Sequence, residues 1–213
     1  MRSRVKRHGS LGLMAFWTDI EADYIPHFQE WHNCEHIPER ISIPGFNVGR
    51  RYRGMGAAQN FLMFYETDTA SVFASDAYLT RLNDPTPWTR DSLPHFKNPC
   101  RNIYTLQAEN GCPAPLEAPY IHTVRFNLDQ GLDQPVDWLS SVKAYRTRLY
   151  AVDEAISNIM TSERQIYGGG PGQQKFLAMI EHATPLGDLP APPGALDVFS
   201  DEFWLEIALY PED

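Results

Sequence analysis

Few cysteines, no long apolar run and a shortage of positive charge exclude several classes of protein. The 213 residues include three cysteines, Cys34, Cys100 and Cys112, an odd and scattered set that favours a reducing cytoplasm over a disulfide scaffold. No run of eighteen apolar residues occurs, so we expect no transmembrane helix. The formal net charge is -9, and four basic residues lie within the first seven positions, so the rest of the chain is more acidic still. We therefore expect neither nucleic acid nor a membrane as a partner.

The sequence also lacks the motifs of several catalytic classes. It contains no Gly-x-Ser-x-Gly element, and its glycine-rich run at 168–172 lacks the Gly-Lys-Ser/Thr of a phosphate-binding loop. The scattered cysteines give no support for a thiol nucleophile. Serine nucleophiles, thiol nucleophiles and a phosphate loop are therefore not expected.

What is present is the composition of a globular protein. Hydrophobic residues make up 43% of the chain and aromatic residues 12%, which is enough for a buried core. The basic residues 1–9 are predicted to form an N-terminal arm, because the apolar stretch 11–17 that follows them is too short for a secretory signal.

Alternation and helical spacing predict an ordered series of elements in the first half of the chain. The order is strand, helix, strand, strand, helix, strand. Pro38 is expected to end the first helix at Ile37, because the residue before a proline disfavours helical geometry. The predicted strands cover 10–17, 46–53, 61–67 and 101–108, and the predicted helices cover 22–37 and about 69–82.

A similar order starts again after a proline-rich linker. The second half is predicted to contain strands at 120–128, 176–182 and 203–209, a helix at 136–149, an extended segment at 155–165 and a proline-rich loop at 184–194. This duplication predicts an α+β fold. Two ferredoxin-like βαββαβ repeats, at 10–112 and 118–213, would pack sheet to sheet and cover each other's open face.

The segment from Trp31 to Arg40 holds the densest set of ionisable side chains. His32 and His36 are four residues apart and are predicted to project from one face of the helix. A histidine near its unperturbed pKa can give or take a proton at neutral pH, so His36 is the first candidate for acid/base catalysis. His32 or Tyr65 would assist it.

Arginines and aromatic residues near this segment are candidates for substrate binding. A guanidinium group can hold a carboxylate through two hydrogen bonds, and strand alternation places Arg51 and Arg53 on one face. Glu35 or Glu39 is expected to orient His36. The predicted substrate-binding residues are Arg51, Arg53, Arg40, Trp88, Phe64 and His95.

Structural roles are the alternative for the same residues. A histidine near a helix end can be a cap, the segment 84–90 can be a capped loop as well as a lid, and His95 can be a satisfied structural histidine. His32 to His36 also spells His-x-x-Glu-His, a zinc-protease pattern, but no downstream glutamate ligand stands out and Pro38 follows at once. We predict no metal site.

The first half resembles a known family. Glu35-His36-Ile37-Pro38-Glu39-Arg40, Ile43-Pro44-Gly45-Phe46 and Arg50-Arg51-Tyr52 are similar to segments of the EthD-like branch of the dimeric α+β barrel superfamily, including its histidine-proline signature. The resemblance is sharpest over about residues 10–110 and implies a barrel of paired ferredoxin-like units. It also implies chemistry on aromatic compounds, often without a cofactor, although the superfamily includes haem enzymes.

Three functions remain open at this point. The leading hypothesis is a cofactor-independent lyase that decarboxylates, or eliminates from, an aromatic or phenolic intermediate by histidine acid/base chemistry. The second is a cofactor-free or haem-linked oxygenase in the same barrel. The third is a non-catalytic module that binds a small molecule. The expected partners are an aromatic small-molecule substrate and a second copy of the chain in a homodimer.

Overall fold

Eight antiparallel strands form one closed barrel. The computed structural model describes residues 10–129 and 135–212. Around the barrel the strands follow the order β1-β3-β2-β8-β5-β7-β6-β4, and β4 pairs with β1 to close it. The strands are β1 Gly12–Ile20, β2 Phe46–Gly54, β3 Phe61–Thr67, β4 Phe96–Gly111, β5 Tyr120–Leu128, β6 Arg146–Val152, β7 Phe176–His182 and β8 Ala195–Leu209.

The barrel consists of two four-stranded sheets with the same strand order. The first half contributes β4-β1-β3-β2 and the second half contributes β8-β5-β7-β6, so each has the ferredoxin-like order in its own numbering. The two sheets join through the pairs β2 with β8 and β4 with β6. The predicted α+β barrel of two ferredoxin-like repeats is therefore confirmed. The predicted arm at 1–9 lies outside the described residues.

The helices of the first half cover the outer face of their own sheet. They are α1 Ile25–Trp31, a π-helical turn His32–His36, α2 Ile37–Ile41, α3 Asp76–Asn83 and α4 Pro87–Ser92, with short 3₁₀ turns at Ala70–Ala74 and Leu93–His95. The prediction that Pro38 ends the first helix is wrong. The N–H of Ile37 bonds to the carbonyl of His32, five residues back, so Pro38 falls in the first turn of α2, where its missing N–H has little cost.

The second half departs from the prediction in two segments. The helix predicted at 136–149 is the short α5 Val136–Ser141, and residues 146–149 belong instead to β6, where Thr147, Leu149 and Tyr150 are buried. The prediction of an extended segment at 155–165 is wrong as well. It forms α6 Glu154–Ser157 and α7 Ser162–Tyr167. Asp153 and Thr161 accept hydrogen bonds from backbone N–H groups in the first turns of these helices, and such caps favour a helix start.

Alternation along each strand divides the core between the two faces of the sheets. Phe64 is buried inside the barrel, whereas its neighbour Tyr65 is buried between the first sheet and its helices. A third apolar cluster covers the outer face of the second sheet, where α5 and the proline-rich loop pack. Among the described residues, no helix is long and apolar enough to cross a bilayer.

Candidate functional site

A cavity lies between the outer face of the first sheet and the helices that cover it. Its empty space is about 500 Å³ when its open mouth is included, a volume in the usual range of small-molecule sites. The lining residues are Met14, Phe16, Trp31, His32, His36, Arg40, Met63, Tyr65, Tyr78, Leu82, Leu93, Phe96, Arg101, Thr161, Glu163 and Tyr167.

The π-helical turn presents two histidines to this cavity. Their rings stack with centroids 5.6 Å apart and planes 24° apart. The ring of Trp31 lies 4.4 Å from that of His36. Single π-turns inside helices occur frequently at functional sites. The sequence prediction that His32 and His36 share one face agrees with this placement.

His32 is fully buried and holds a fixed tautomer. Arg51 Nη1 donates to His32 Nδ1 at 3.1 Å, and a guanidinium group has donors alone, so Nδ1 must be an unprotonated acceptor. The ring proton therefore lies on Nε2, which faces Tyr65 Oη at 3.4 Å. Burial, followed by the charges of Arg51 and Arg40, holds the pKa of His32 well below its usual value and keeps the ring neutral.

Tyr65 presents a protonated hydroxyl to the cavity. Burial raises the pKa of Tyr65 far above its usual value, against the opposing charge of Arg40. The hydroxyl oxygen accepts the long hydrogen bond from His32 Nε2, and no described residue accepts the hydroxyl proton. That proton is therefore available to an oxygen atom of a ligand.

His36 is half-buried, and its imidazole has no hydrogen bond to a described residue. Its Nδ1 atom is buried without a partner in that part of the chain. Burial, then the charge of Arg40, then the neighbouring His32 hold the pKa of His36 well below its usual value. The ring is thus neutral at physiological pH and can accept a proton.

Neither glutamate predicted to orient His36 does so. Glu35 Oε1 accepts from Thr86 Oγ1 at 2.6 Å and from Trp31 Nε1 at 3.2 Å, which ties the π-turn to the start of α4. Glu39 pairs with Arg40 at 2.9 Å. Both carboxylates are engaged with other groups, so this prediction is corrected.

Arg40 lines the cavity but is already paired. Its guanidinium contacts the carboxylates of Glu163, from α7, and of Glu39. Burial alone would lower the pKa of Arg40, but Glu163 and the other nearby acidic groups raise it above its usual value. The ion pair joins the helix of the first repeat to α7 of the second repeat. A role for Arg40 in binding a substrate carboxylate would require Glu163 to be displaced.

Arg51 and Arg53 lie behind the cavity and do not line it. Arg51 Nε and Arg53 Nε donate to the two oxygens of Glu206, at 2.6 Å and 3.0 Å. Arg53 also lies over the ring of Phe61, 4.0 Å from its centroid. The structure therefore separates both arginines from the position in which they were expected to hold a substrate.

Three further predicted residues also lie outside the lining of the cavity. Phe64 points into the barrel and stacks on Tyr52 at 5.2 Å. Trp88 is half-buried in α4, and the segment 84–90 consists of a short loop with the cap Thr86 and the first turn of that helix. His95 stacks on Tyr24 at 3.6 Å and bonds to Glu21 at 2.5 Å. These contacts are structural.

Sequence reasoning missed the cavity residues that come from other elements. Tyr78 lies on α3, Arg101 on β4, and Glu163 and Tyr167 on α7 of the second repeat. The Thr161 cap was a readable signal for α7, and recognition of that helix would have placed Glu163 on a helix face. Nothing local in the sequence indicates that α7 packs over the first repeat.

The donor set of the described residues does not fit a metal ion. Within residues 10–129 and 135–212, no group of three or more His, Cys, Asp or Glu side chains could hold a metal ion. Haem iron takes an axial ligand such as histidine, but both nitrogens of His32 are engaged. His36 is the histidine of the cavity that has a nitrogen without a partner among the described residues.

Comparison with known proteins identifies the fold and not a family. No protein-family model and no curated protein sequence matches the chain. An anthrone oxidase-like protein matches with a TM-score of 0.60 at 9% identity, over 97% of this chain and 95% of its own. A proposed monooxygenase from Fusobacterium nucleatum matches with a TM-score of 0.58 at 8% identity, over 95% of each chain. A chlorite dismutase from Candidatus Nitrospira defluvii matches with a TM-score of 0.51 at 10% identity, over 93% of each.

These similarities establish a shared ferredoxin-like α+β barrel. Identities of 8–10% carry no residue roles from one protein to another. These matches do not identify the EthD-like branch, so that part of the expectation stays a prediction. The names of the first two neighbours are those of oxygen-using enzymes.

Proposed function

We propose that this chain is a cofactor-independent oxygenase that oxidises a small aromatic or phenolic compound. The observation that carries the proposal is His36, a neutral imidazole without a hydrogen bond to a described residue, in a cavity walled by aromatic side chains. The names of the structural neighbours also favour oxygen chemistry over the lyase expected from the sequence. Membership of the EthD-like branch and a location in the cytoplasm are part of the same proposal.

The proposed mechanism begins with a proton transfer to His36. A carbon or oxygen conjugated with an aromatic ring is a weak acid that can transfer a proton to a positioned imidazole when the resulting anion is stabilised. The protonated Tyr65 hydroxyl donates a hydrogen bond to the oxygen on which negative charge develops. The electron-rich anion then reduces molecular oxygen directly, which is why no resident cofactor is needed.

The overall reaction balances for a ring methylene that becomes a carbonyl. One carbon–oxygen bond forms, the oxygen–oxygen bond breaks, and the two hydrogens of the methylene leave with the second oxygen atom as water. Four electrons pass from the substrate to oxygen. The site contributes a base and a hydroxyl donor, and it keeps most water away from the anion through its apolar walls.

The test of this proposal is oxygen uptake by wild type and by His36→Gln with anthrone and single-ring phenolic substrates. We expect His36→Gln to lose roughly 100- to 10,000-fold in turnover, the range of general-base contributions. His27→Gln is the matched control, because His27 is an exposed histidine on the same helix. Full oxygen uptake by His36→Gln with a substrate of the wild type would overturn the role of His36. Tight ligand binding without turnover would favour a non-catalytic module.

A decarboxylating lyase is the second candidate, and one observation favours it. Arg101 lines the cavity and has no carboxylate within 4.0 Å among the described residues, so a substrate carboxylate could take that place. An assay under nitrogen distinguishes the two reactions. A lyase releases carbon dioxide at an unchanged rate without oxygen, whereas an oxygenase stops.

A homodimer is the proposed assembly. Large apolar side chains are exposed along β8, namely Leu196, Val198, Phe199 and Trp204. An exposed apolar stretch of this kind favours association. Light scattering would then give twice the 24.3 kDa of the chain, and a mass of one chain at micromolar concentration would contradict the proposal.

A further inference from the structure

Arg101 differs from the other arginines around the cavity in having no acidic partner. It lies on β4 opposite Phe16 of β1, and both side chains line the cavity. The one hydrogen bond that its guanidinium makes to a described residue runs from Nη2 to Tyr78 Oη, at 3.3 Å. Most of its five N–H donors are therefore left without a partner in the described residues.

The neighbouring arginines show what a charge in this environment normally requires. Arg40 pairs with Glu163 and Glu39, and Arg51 pairs with Glu206 at 2.6 Å. Taking a cation out of water is costly unless a counter-charge accompanies it. Glu163 is the acidic side chain that lines the same cavity, but Arg40 already holds it. Burial would lower the pKa of Arg101, but Tyr78, Tyr167 and the charge of Glu163 raise it. Arg101 is thus a half-buried cation that makes no direct ion pair with a described residue.

We propose that Arg101 binds the anionic group of the substrate, which makes the substrate an aromatic carboxylate. A planar guanidinium with adjacent free N–H groups matches a carboxylate in a two-bond geometry. The aromatic rings of Phe16, Tyr78 and Tyr167 line the same cavity and could contact a substrate ring. The inference rests on the proposed function only in that it takes this cavity as the substrate site.

Size and charge together restrict the substrate further. The empty space of about 500 Å³, with the open mouth included, is of the size that a small aromatic acid needs. The half-buried His36 lines the same cavity, so a ring bound through Arg101 would share the site with it. A single-ring acid fits this arrangement better than a neutral polycyclic compound.

The experiment measures ligand binding without turnover, by calorimetry at low salt, with benzoate and its neutral counterpart benzamide as probes. We expect the wild type to bind benzoate at least about tenfold more tightly than benzamide and to lose that preference as salt is raised. Arg101→Gln should bind the two probes equally, and Arg101→Lys should recover part of the preference. Arg90→Gln, which changes an exposed arginine outside the cavity, is the matched control and should behave as wild type.

The outcomes separate this inference from the proposed function. Equal affinity of the wild type for benzoate and benzamide, or unchanged benzoate binding by Arg101→Gln, would overturn the role of Arg101. His36→Gln should keep its preference for benzoate, because His36 moves a proton and does not hold the anion. Intact anion selectivity together with no oxygen uptake would refute the oxygenase and leave the anion site standing. If circular dichroism shows that Arg101→Gln does not fold, the inference is tested by the comparison of benzoate with benzamide in the wild type and by the binding of both probes to Arg101→Lys.

Discussion

At the scale of single residues, the chemistry of the site depends on which nitrogen of His32 carries the proton. Arg51 decides this, because a guanidinium can only donate and therefore fixes Nδ1 as the acceptor. Glu206 accepts a hydrogen bond from Arg51 Nε, and the chain of hydrogen bonds continues from Arg51 through His32 to the hydroxyl of Tyr65. Arg51 is thus a positioning residue that acts through His32 and Tyr65 without touching the cavity.

Replacement of Arg51 by methionine is expected to reduce turnover by about tenfold or more, with a smaller change in KM. The physical reason is that His32 can then change tautomer and turn the Tyr65 hydroxyl away from the substrate. Kinetic assays measure the first effect, and nitrogen NMR of the His32 ring reports the tautomer. Arg53→Met is the matched control, because Arg53 also bonds to Glu206 but has no contact with His32. Equal effects of the two substitutions would contradict the proposal that Arg51 acts through His32.

At the scale of elements, the site depends on how closely β2 passes beneath the helix that carries the histidines. Gly49 on β2 pairs with Tyr65 on β3. A Cβ atom at Gly49 would lie 2.7 Å from Ile37 Cγ2 and 2.7 Å from Tyr65 Cε1. Absence of a side chain at this position therefore lets the start of α2, which directly follows the π-turn, and the ring of Tyr65 pack closely over β2.

We predict that Gly49→Ala lowers the free energy of unfolding by about 1–3 kcal/mol, the usual result of forcing extra volume into a packed core. It should also reduce activity, since the displaced ring is that of Tyr65. Urea unfolding and oxygen uptake measure the two effects. Gly170→Ala is the control, because the nearest atom to its added Cβ would be Arg164 Nη2 at 3.7 Å. A Gly49→Ala protein with wild-type stability and activity would contradict the prediction that a Cβ atom at this position disturbs the packing of Ile37 and Tyr65.

At the scale of the whole molecule, buried ion pairs connect the two repeats inside the barrel. Arg148 of β6 donates to Glu66 of β3 at 2.8 Å and to Glu181 of β7 at 2.7 Å, and Arg50 of β2 also bonds to Glu66 at 3.1 Å. Burial would raise the pKa of Glu66, but Arg148 and Arg50 hold it well below its usual value. The carboxylate is therefore charged in the folded protein across the neutral and mildly acidic range.

This depressed pKa predicts a loss of stability in acid. The pKa of Glu66 is lower in the folded protein than in the unfolded chain, so the unfolded chain binds a proton more readily. The contribution of Glu66 to the free energy of unfolding is therefore complete above the unfolded pKa and declines as the pH falls below that value. Glu66→Gln should lower the free energy of unfolding by about 3–5 kcal/mol at pH 7, because two buried arginines lose a partner.

Urea unfolding at a series of pH values from neutral to acidic measures this contribution. The difference between wild type and Glu66→Gln should shrink as the pH falls below the usual range of a glutamate. Glu154→Gln removes an exposed pair with Lys175 and should leave the pH dependence as it is in the wild type. A constant difference between wild type and Glu66→Gln at all pH values would contradict a depressed pKa.

Local patterns in the sequence determined most of the strands and the position of the two histidines. Alternation at 46–53 and at 61–67 placed β2 and β3, and the four-residue spacing of His32 and His36 placed their rings side by side. These features depend on the periodicity of one element, so the residues themselves carry the information. The two repeats, and hence the barrel of two ferredoxin-like sheets, follow from the order of such elements.

Tertiary structure alone decided which charged groups share the cavity. The sequence singled out Arg51 and not Arg101, but strand register turns Arg51 toward Glu206 and Arg101 into the cavity. Glu163 comes to Arg40 across 123 positions of sequence, through a helix of the other repeat. Such partners are set by barrel closure and by the packing of α7, which depend on the whole chain. The sequence therefore indicates the base, and the fold selects the side chains that surround it.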